Sequence, residues 1–150
     1  MLRIGVIMER QDEISQSVDI AAPIERVWAA LTQADQIAQW FGDSATVDFR
    51  VGGKMKFGWS HYDDAVAHAV IERIEPTTAF AYRWWMASDD EASATLVTFT
   101  LSNNGDTTKV TVVESRLASL PLEAAKKIIE ENSEGWIEEL DELLTYVEGS

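Results

Sequence analysis

The chain has 150 residues, 12 of them basic and 26 acidic, for a formal net charge of −14. A field of that sign repels nucleic acid and anionic membrane surfaces, so neither is an expected partner. The hydrophobic fraction of 46% suits one sizeable core, while the absence of cysteine excludes disulfides, thiolate metal sites and cysteine nucleophiles and fits a cytoplasmic location.

The opening MLRIGVIMER contains an apolar run too short for a signal-peptide core or a membrane span. Residues 1–11 read as a flexible N-terminal extension, with Met8 an alternative start, ahead of a single domain over 12–150. ISQSVDI, residues 14–20, alternates and predicts a strand. In AAPIERVWAALTQ, Pro23 suits a first helical position, and Ile24, Val27, Trp28 and Leu31 fall at i, i+3, i+4 and i+7, one buried stripe. ADQIAQWF predicts a second short helix ending near Gly42. The period then changes to two. ATVDFRV and KMKFGWS read as strands joined by Gly52-Gly53, a pair that permits positive φ. Asp63-Asp64 marks the next turn, before AVAHAVIERI and its hairpin partner AFAYRWWM. Val70 and Ile71 are adjacent apolar residues in an otherwise alternating strand, which suggests a bulge. ATLVTFTLS and TKVTVVES flank the turn sequence NNGD.

From Leu122 to about Val147 the pattern is one long helix. At 100° per residue Leu122, Ala125, Ile129, Asn132, Ser133, Trp136, Leu140, Leu143, Leu144 and Val147 share a face, opposite a face of glutamates and aspartate. Gly135 falls on the outward side, at a cost of roughly 1 kcal/mol against alanine. Short connections between six successive strands imply an antiparallel meander, and its apolar face needs a cover that only this helix is long enough to supply.

Alternation places Met55, Phe57 and Trp59 on one strand face. Phe80, Tyr82 and Trp84 share another, Val97, Phe99 and Leu101 a third, and Val110, Val112 and Glu114 a fourth. An interior this rich in rings either fills completely or walls a cavity. Glu114, Asn132 and Ser133 fall on apolar faces. A buried polar group without partners costs roughly 1–3 kcal/mol, so such residues pair with each other, face a wet pocket, or, for Glu114, lie in solvent at a strand end.

AAPIERVWAALTQADQIAQWF, VGGKMKFGW, VIERIEPTTAFAYRWW and EGWIEELDELLTYVE, in that order, resemble the domain related to the activator of the heat-shock protein 90 ATPase, a family of the START-like (SRPBCC) superfamily. The resemblance covers about residues 12–148. It implies an α+β helix-grip fold: a seven-stranded antiparallel sheet wrapped around a long C-terminal helix, with two short helices after the first strand. It also implies a hydrophobic cavity between sheet and helix, and Gly135-Trp136 is a pair typical of the family. Nothing here corresponds to the separate N-terminal domain of the eukaryotic chaperone activator.

The leading expectation is therefore a protein that binds a small, largely hydrophobic molecule, with no cofactor. Phe57, Trp59, Tyr82, Trp84, Phe99, Trp136 and Leu140 are the expected walls, Trp40 and Phe41 a lip, and Glu114, Asn132 and Ser133 a polar patch. The alternatives are a chaperone co-factor of the activator type and a cyclase-like enzyme in which Glu114, with Tyr82, performs acid–base chemistry. His61 and His68, near Asp63 and Asp64, are weak candidate metal ligands whose spacing matches no known motif. The chain is expected to be a monomer or a homodimer, the latter through Trp85 on the outer strand face.

Overall fold

The computed structural model describes residues 11–149, so the expected N-terminal extension, apart from Gln11, lies outside the described residues. The elements are β1 (Ile14–Ile20), α1 (Ile24–Thr32), α2 (Ala34–Trp40), β2 (Ser44–Val47), β3 (Lys54–Trp59), β4 (Ala65–Glu75), β5 (Ala79–Met86), β6 (Thr95–Asn104), β7 (Thr107–Ser115) and α3 (Leu122–Glu148). The seven strands form one antiparallel sheet in the order β1-β7-β6-β5-β4-β3-β2. Six strands follow the expected meander. β1, separated from it in sequence by both short helices, pairs with β7 in the register Val18 to Val110.

Turn chemistry sets most hairpins. Asp63 and Asp64 both adopt positive φ, 53° and 54°, and Ala65 N donates to Tyr62 O at 2.9 Å, which closes a type I′ turn between β3 and β4. The β2–β3 connection departs from the sequence reading. β2 ends at Val47 rather than Val51, and Asp48 to Gly53 form a wider loop. A Cβ on Gly53 would lie 1.9 Å from Asp48 O, so the chain packs against itself there in a way only glycine permits. The register between β4 and β5 shifts between Ile71 and Arg73, leaving Glu72 as the bulged residue at the place the adjacent apolar pair marked. Glu72 accepts from Arg83 Nε at 3.3 Å and Arg116 Nη2 at 3.1 Å on the outer face.

The inner sheet face carries Met55, Phe57, Ala67, Ala69, Ile71, Phe80, Tyr82, Val97, Phe99, Leu101, Val110, Val112 and Glu114, all buried. Register explains why so many rings fit. Ala67 lies opposite Phe57, and Ala69 lies between Met55 and Trp84, so alanines on β4 make room for large side chains from both neighbours. α1 buries Val27, Ala30 and Leu31, and Trp40 Nε1 donates to Ala30 O at 2.8 Å, tying α2 to α1. α3 lies across the concave face. Its last three turns bury Leu140, Leu143 and Val147, and Glu148 Oε2 accepts from Ala21 N at 2.8 Å at the end of β1. Leu122, expected on the buried face, is 50% exposed. Between Ala125 and Trp136, about 16 Å of helix, no α3 side chain is fully buried. There the helix packs on the sheet only in part: Ile128 and Ile129 reach the core half-buried. Among the described residues no helix is long and apolar enough to cross a membrane.

Candidate functional site

Where the packing of α3 on the sheet is incomplete, helix and sheet are joined through Glu114, near the end of β7 and 1% exposed. Its Oε1 accepts from Asn132 Nδ2 and Trp136 Nε1, both at 2.9 Å and both on α3. Its Oε2 accepts from Trp84 Nε1 on β5 at 3.1 Å and from the Thr95 hydroxyl on β6. Four neutral donors from three elements thus saturate a buried carboxylate with no cation among them. Each bond to a charged acceptor is stronger than a neutral one, which offsets the desolvation of the group. Indole N–H groups only donate, so this carboxylate fixes the orientation of both tryptophans.

Those two rings, 5.7 Å apart and tilted by 37°, form one wall of a cleft. Phe41, in the turn after α2, stacks on Trp136 at 5.8 Å and 4° and also contacts Phe57, Trp59 and Trp84. The turn itself is held to the end of β3: Asp43 accepts from both the backbone N–H and the hydroxyl of Ser60. The Ser60 hydroxyl, then its N–H, pulls the Asp43 carboxyl below its usual range.

The resulting cleft has a volume of about 410 Å³ and opens to the surface. On the sheet side it meets Phe41, Trp59, Tyr62, Ala65, Trp84 and Met86, and on the helix side Glu131, Asn132, Gly135, Trp136 and Glu139. The helix residues recur at i, i+1, i+4, i+5 and i+8, one face of α3. Gly135 is half-buried on the cleft floor rather than outward, and a Cβ there would meet nothing within 4 Å. Its missing side chain therefore leaves space in the cleft. A second groove of about 400 Å³ shares Trp59, Tyr62, Gly135 and Glu139 and adds Trp40, His61, Glu138 and Glu142. Deeper in, among Leu31, Met55, Phe57, Tyr82 and Phe99, only about 10 Å³ remains, so the centre of the molecule is filled.

Glu139 is the titratable group that sequence reasoning missed. Burial, then the charges of Glu142 and Glu138, push its carboxyl up from 4.5 to about 7. Burial, followed by Glu114 and Glu139, likewise holds the Tyr82 phenol well above its ordinary value of 10. Tyr82 is not among the donors to Glu114, and every acceptor position of Glu114 is occupied. The expected acid–base pair is therefore not assembled: Glu114 positions the tryptophans and has no free lone pair for a substrate proton.

The structure divides the expected site residues into three groups. Trp59, Trp84, Asn132 and Trp136 line the cleft, with Glu114 directly behind them. Phe57, Tyr82, Phe99 and Leu140 belong to the filled core instead, because alternation identifies the inner face but not how far along it the helix lifts away. Ser133 is half-buried and outside the cleft lining; of the two expected lip residues, Phe41 lines the cleft as a buried ring and Trp40 borders the second groove. Of the histidines, His61 Nδ1 lies 4.0 Å from Asp43 Oδ2, while His68 packs on Trp85 at 6.0 Å. Among the described residues no three histidine or acidic side chains converge as metal ligands. Trp85 itself is half-buried, with the Arg83 guanidinium 5.5 Å from its ring. Ala65, Met86, Tyr62 and Glu131 were not anticipated. The alanine repeat at 65, 67 and 69 was the readable signal of space beside the rings.

A seven-stranded antiparallel sheet gripping a C-terminal helix, with two short helices after β1, is the helix-grip architecture of START-like (SRPBCC) proteins. The profile of the family described as "Activator of Hsp90 ATPase homolog 1-like protein" matches residues 21–148, and the chain belongs to that family. Similar solved structures include protein MLL2253 of Mesorhizobium loti, at 21% identity and a TM-score of 0.79, covering 92% of this chain and 98% of that one. The Aha1 dimer of Colwellia psychrerythraea superposes with a TM-score of 0.75 at 19% identity, covering 92% and 97% of the two chains. DynU16, from the dynemicin biosynthetic locus, gives 0.77 at 24% identity over 93% of this chain, which spans 48% of DynU16. At these identities the likeness is one of fold. No curated protein matches the sequence.

Proposed function

We propose that the protein binds a small, largely hydrophobic aromatic molecule in the cleft between the ends of β3–β5 and the middle of α3. The observation that carries this reading is the open space of about 410 Å³ walled by Phe41, Trp59, Trp84 and Trp136. Its size falls in the range of small-molecule sites, and its walls combine apolar faces with few polar groups. The two indoles are held in place before any ligand arrives, so little ordering cost is left for binding. The site lies at the mouth of the grip, not in its filled centre.

The test is a panel of neutral two- and three-ring aromatics, followed by tryptophan fluorescence and thermal shift. Binding quenches emission and raises the melting temperature, since a ligand that prefers the folded state stabilises it. Gly135→Leu places a side chain in the cleft and is expected to weaken binding by about tenfold or more without loss of the fold. Retained affinity in that variant, or no response from any compound to the wild-type protein, overturns the proposal.

The family description motivates a second reading, a co-factor of an Hsp90-type chaperone. It is tested by adding the protein to the host's chaperone ATPase: neither stimulation nor association would eliminate it.

A further inference from the structure

The cleft combines aromatic walls with an acidic rim. Glu131 and Glu139 line it, and Glu138 and Glu142 line the adjoining groove. No lysine or arginine lines either space, and none of the four glutamates has an ion pair with a basic side chain among the described residues. Independently of that rim, both indoles of the wall donate their N–H groups to the buried Glu114 carboxylate. An aromatic ring whose edge N–H faces an anion carries more negative charge on its face, which strengthens its attraction for a cation. Rim and wall therefore favour the same sign of charge, and the net charge of −14 adds attraction at longer range.

We infer that the cleft selects flat aromatic ligands carrying a protonated nitrogen, with the ring system laid on the cleft side of the packed Trp59, Trp84, Phe41 and Trp136 rings and the cationic end at Glu131 and Glu139. The inference rests on the cleft being a ligand site, as proposed above, and adds the charge of the ligand. Half-burial with acidic neighbours already disfavours the ionised form of Glu139; a cationic nitrogen beside it supplies the missing counter-charge.

Three probes on one tricyclic skeleton test it at about pH 8, where acridine is neutral, 9-aminoacridine a cation and acridine-9-carboxylate an anion. Equilibrium titrations read by tryptophan quenching should rank the cation at least about tenfold tighter than acridine, with the carboxylate weakest. The double variant Glu131→Gln/Glu139→Gln should bring the cation-to-neutral affinity ratio close to one. Glu130→Gln/Glu134→Gln, the same change of net charge on the outward face of α3, should leave the ratio intact and so separate the rim from the field of the whole molecule. Equal binding of 9-aminoacridine and acridine, or equal effects of the two double variants, overturns the inference while leaving the cleft as a neutral-ligand site. Failure of all three probes to bind overturns both.

Discussion

Glu114 has four donors and no cation, and the consequences of altering it can be counted bond by bond. Glutamine keeps the shape but turns one oxygen into a donor. The Thr95 hydroxyl can rotate to accept from it and Asn132 can flip, but the indole N–H groups of Trp84 and Trp136 cannot both remain paired as they are. Glu114→Gln should therefore destabilise the fold by about 2–4 kcal/mol, the sum of an unpaired buried donor and the lost charge-assisted strength. Denaturant unfolding measures this, and a loss below about 0.5 kcal/mol would refute the accounting. Glu139 makes a prediction of opposite sign. Its folded-state pKa of about 7 lies above the ordinary 4.5, so folding favours the protonated form. The stability that goes with the neutral carboxyl is complete below the unfolded-state value and is lost as pH rises through about 7. Glu139→Gln should thus raise stability at about pH 8 by about 1–2 kcal/mol, a range already reduced for solvent screening, and change little at about pH 4. Thermal melts at the two pH values check it; an equal effect at both contradicts the assignment.

At the scale of the element, α3 serves two purposes along one length. Its C-terminal end packs into the sheet through Leu140, Leu143 and Val147, while one face of the stretch from Glu131 to Glu139 lines the cleft. Gly135 sits in that stretch at the expense of helix propensity, with open space where its Cβ would be. Gly135→Ala should stabilise the protein by about 0.5–1 kcal/mol and make the cleft slightly shallower. Chemical denaturation reads the first effect, and destabilisation would show that the glycine is required by the fold and not by the space. The strands illustrate a different limit. Period-two patterning and Asp-Asp or Asn-Gly turn signals were enough to place β3 to β7, because hairpin pairing is local. β2 stopped four residues early because the Asp48–Gly53 loop needs those residues to turn, and alternation continues through a loop without announcing it.

For the whole molecule, two features depended on contacts that no local pattern contains. One is the pairing of β1 with β7, which closes the sheet order across almost the full chain. The other is where the grip is filled and where it is open. The same inward alternation ran through Phe57 and Trp59, and through Tyr82 and Trp84, yet the first of each pair is core and the second wall. What the amino-acid order determined by itself was the kind of structure: strands by their period of two, helices by their stripes, a ring-rich inner face, and three polar residues that required an explanation. Tertiary structure alone decided that Glu114 gathers Trp84, Thr95, Asn132 and Trp136, and that Glu131 and Glu139 face the resulting space. The reason is geometric. Periodicity reports the direction in which a side chain points, whereas a cleft depends on the distance between two surfaces that meet only when the chain has folded.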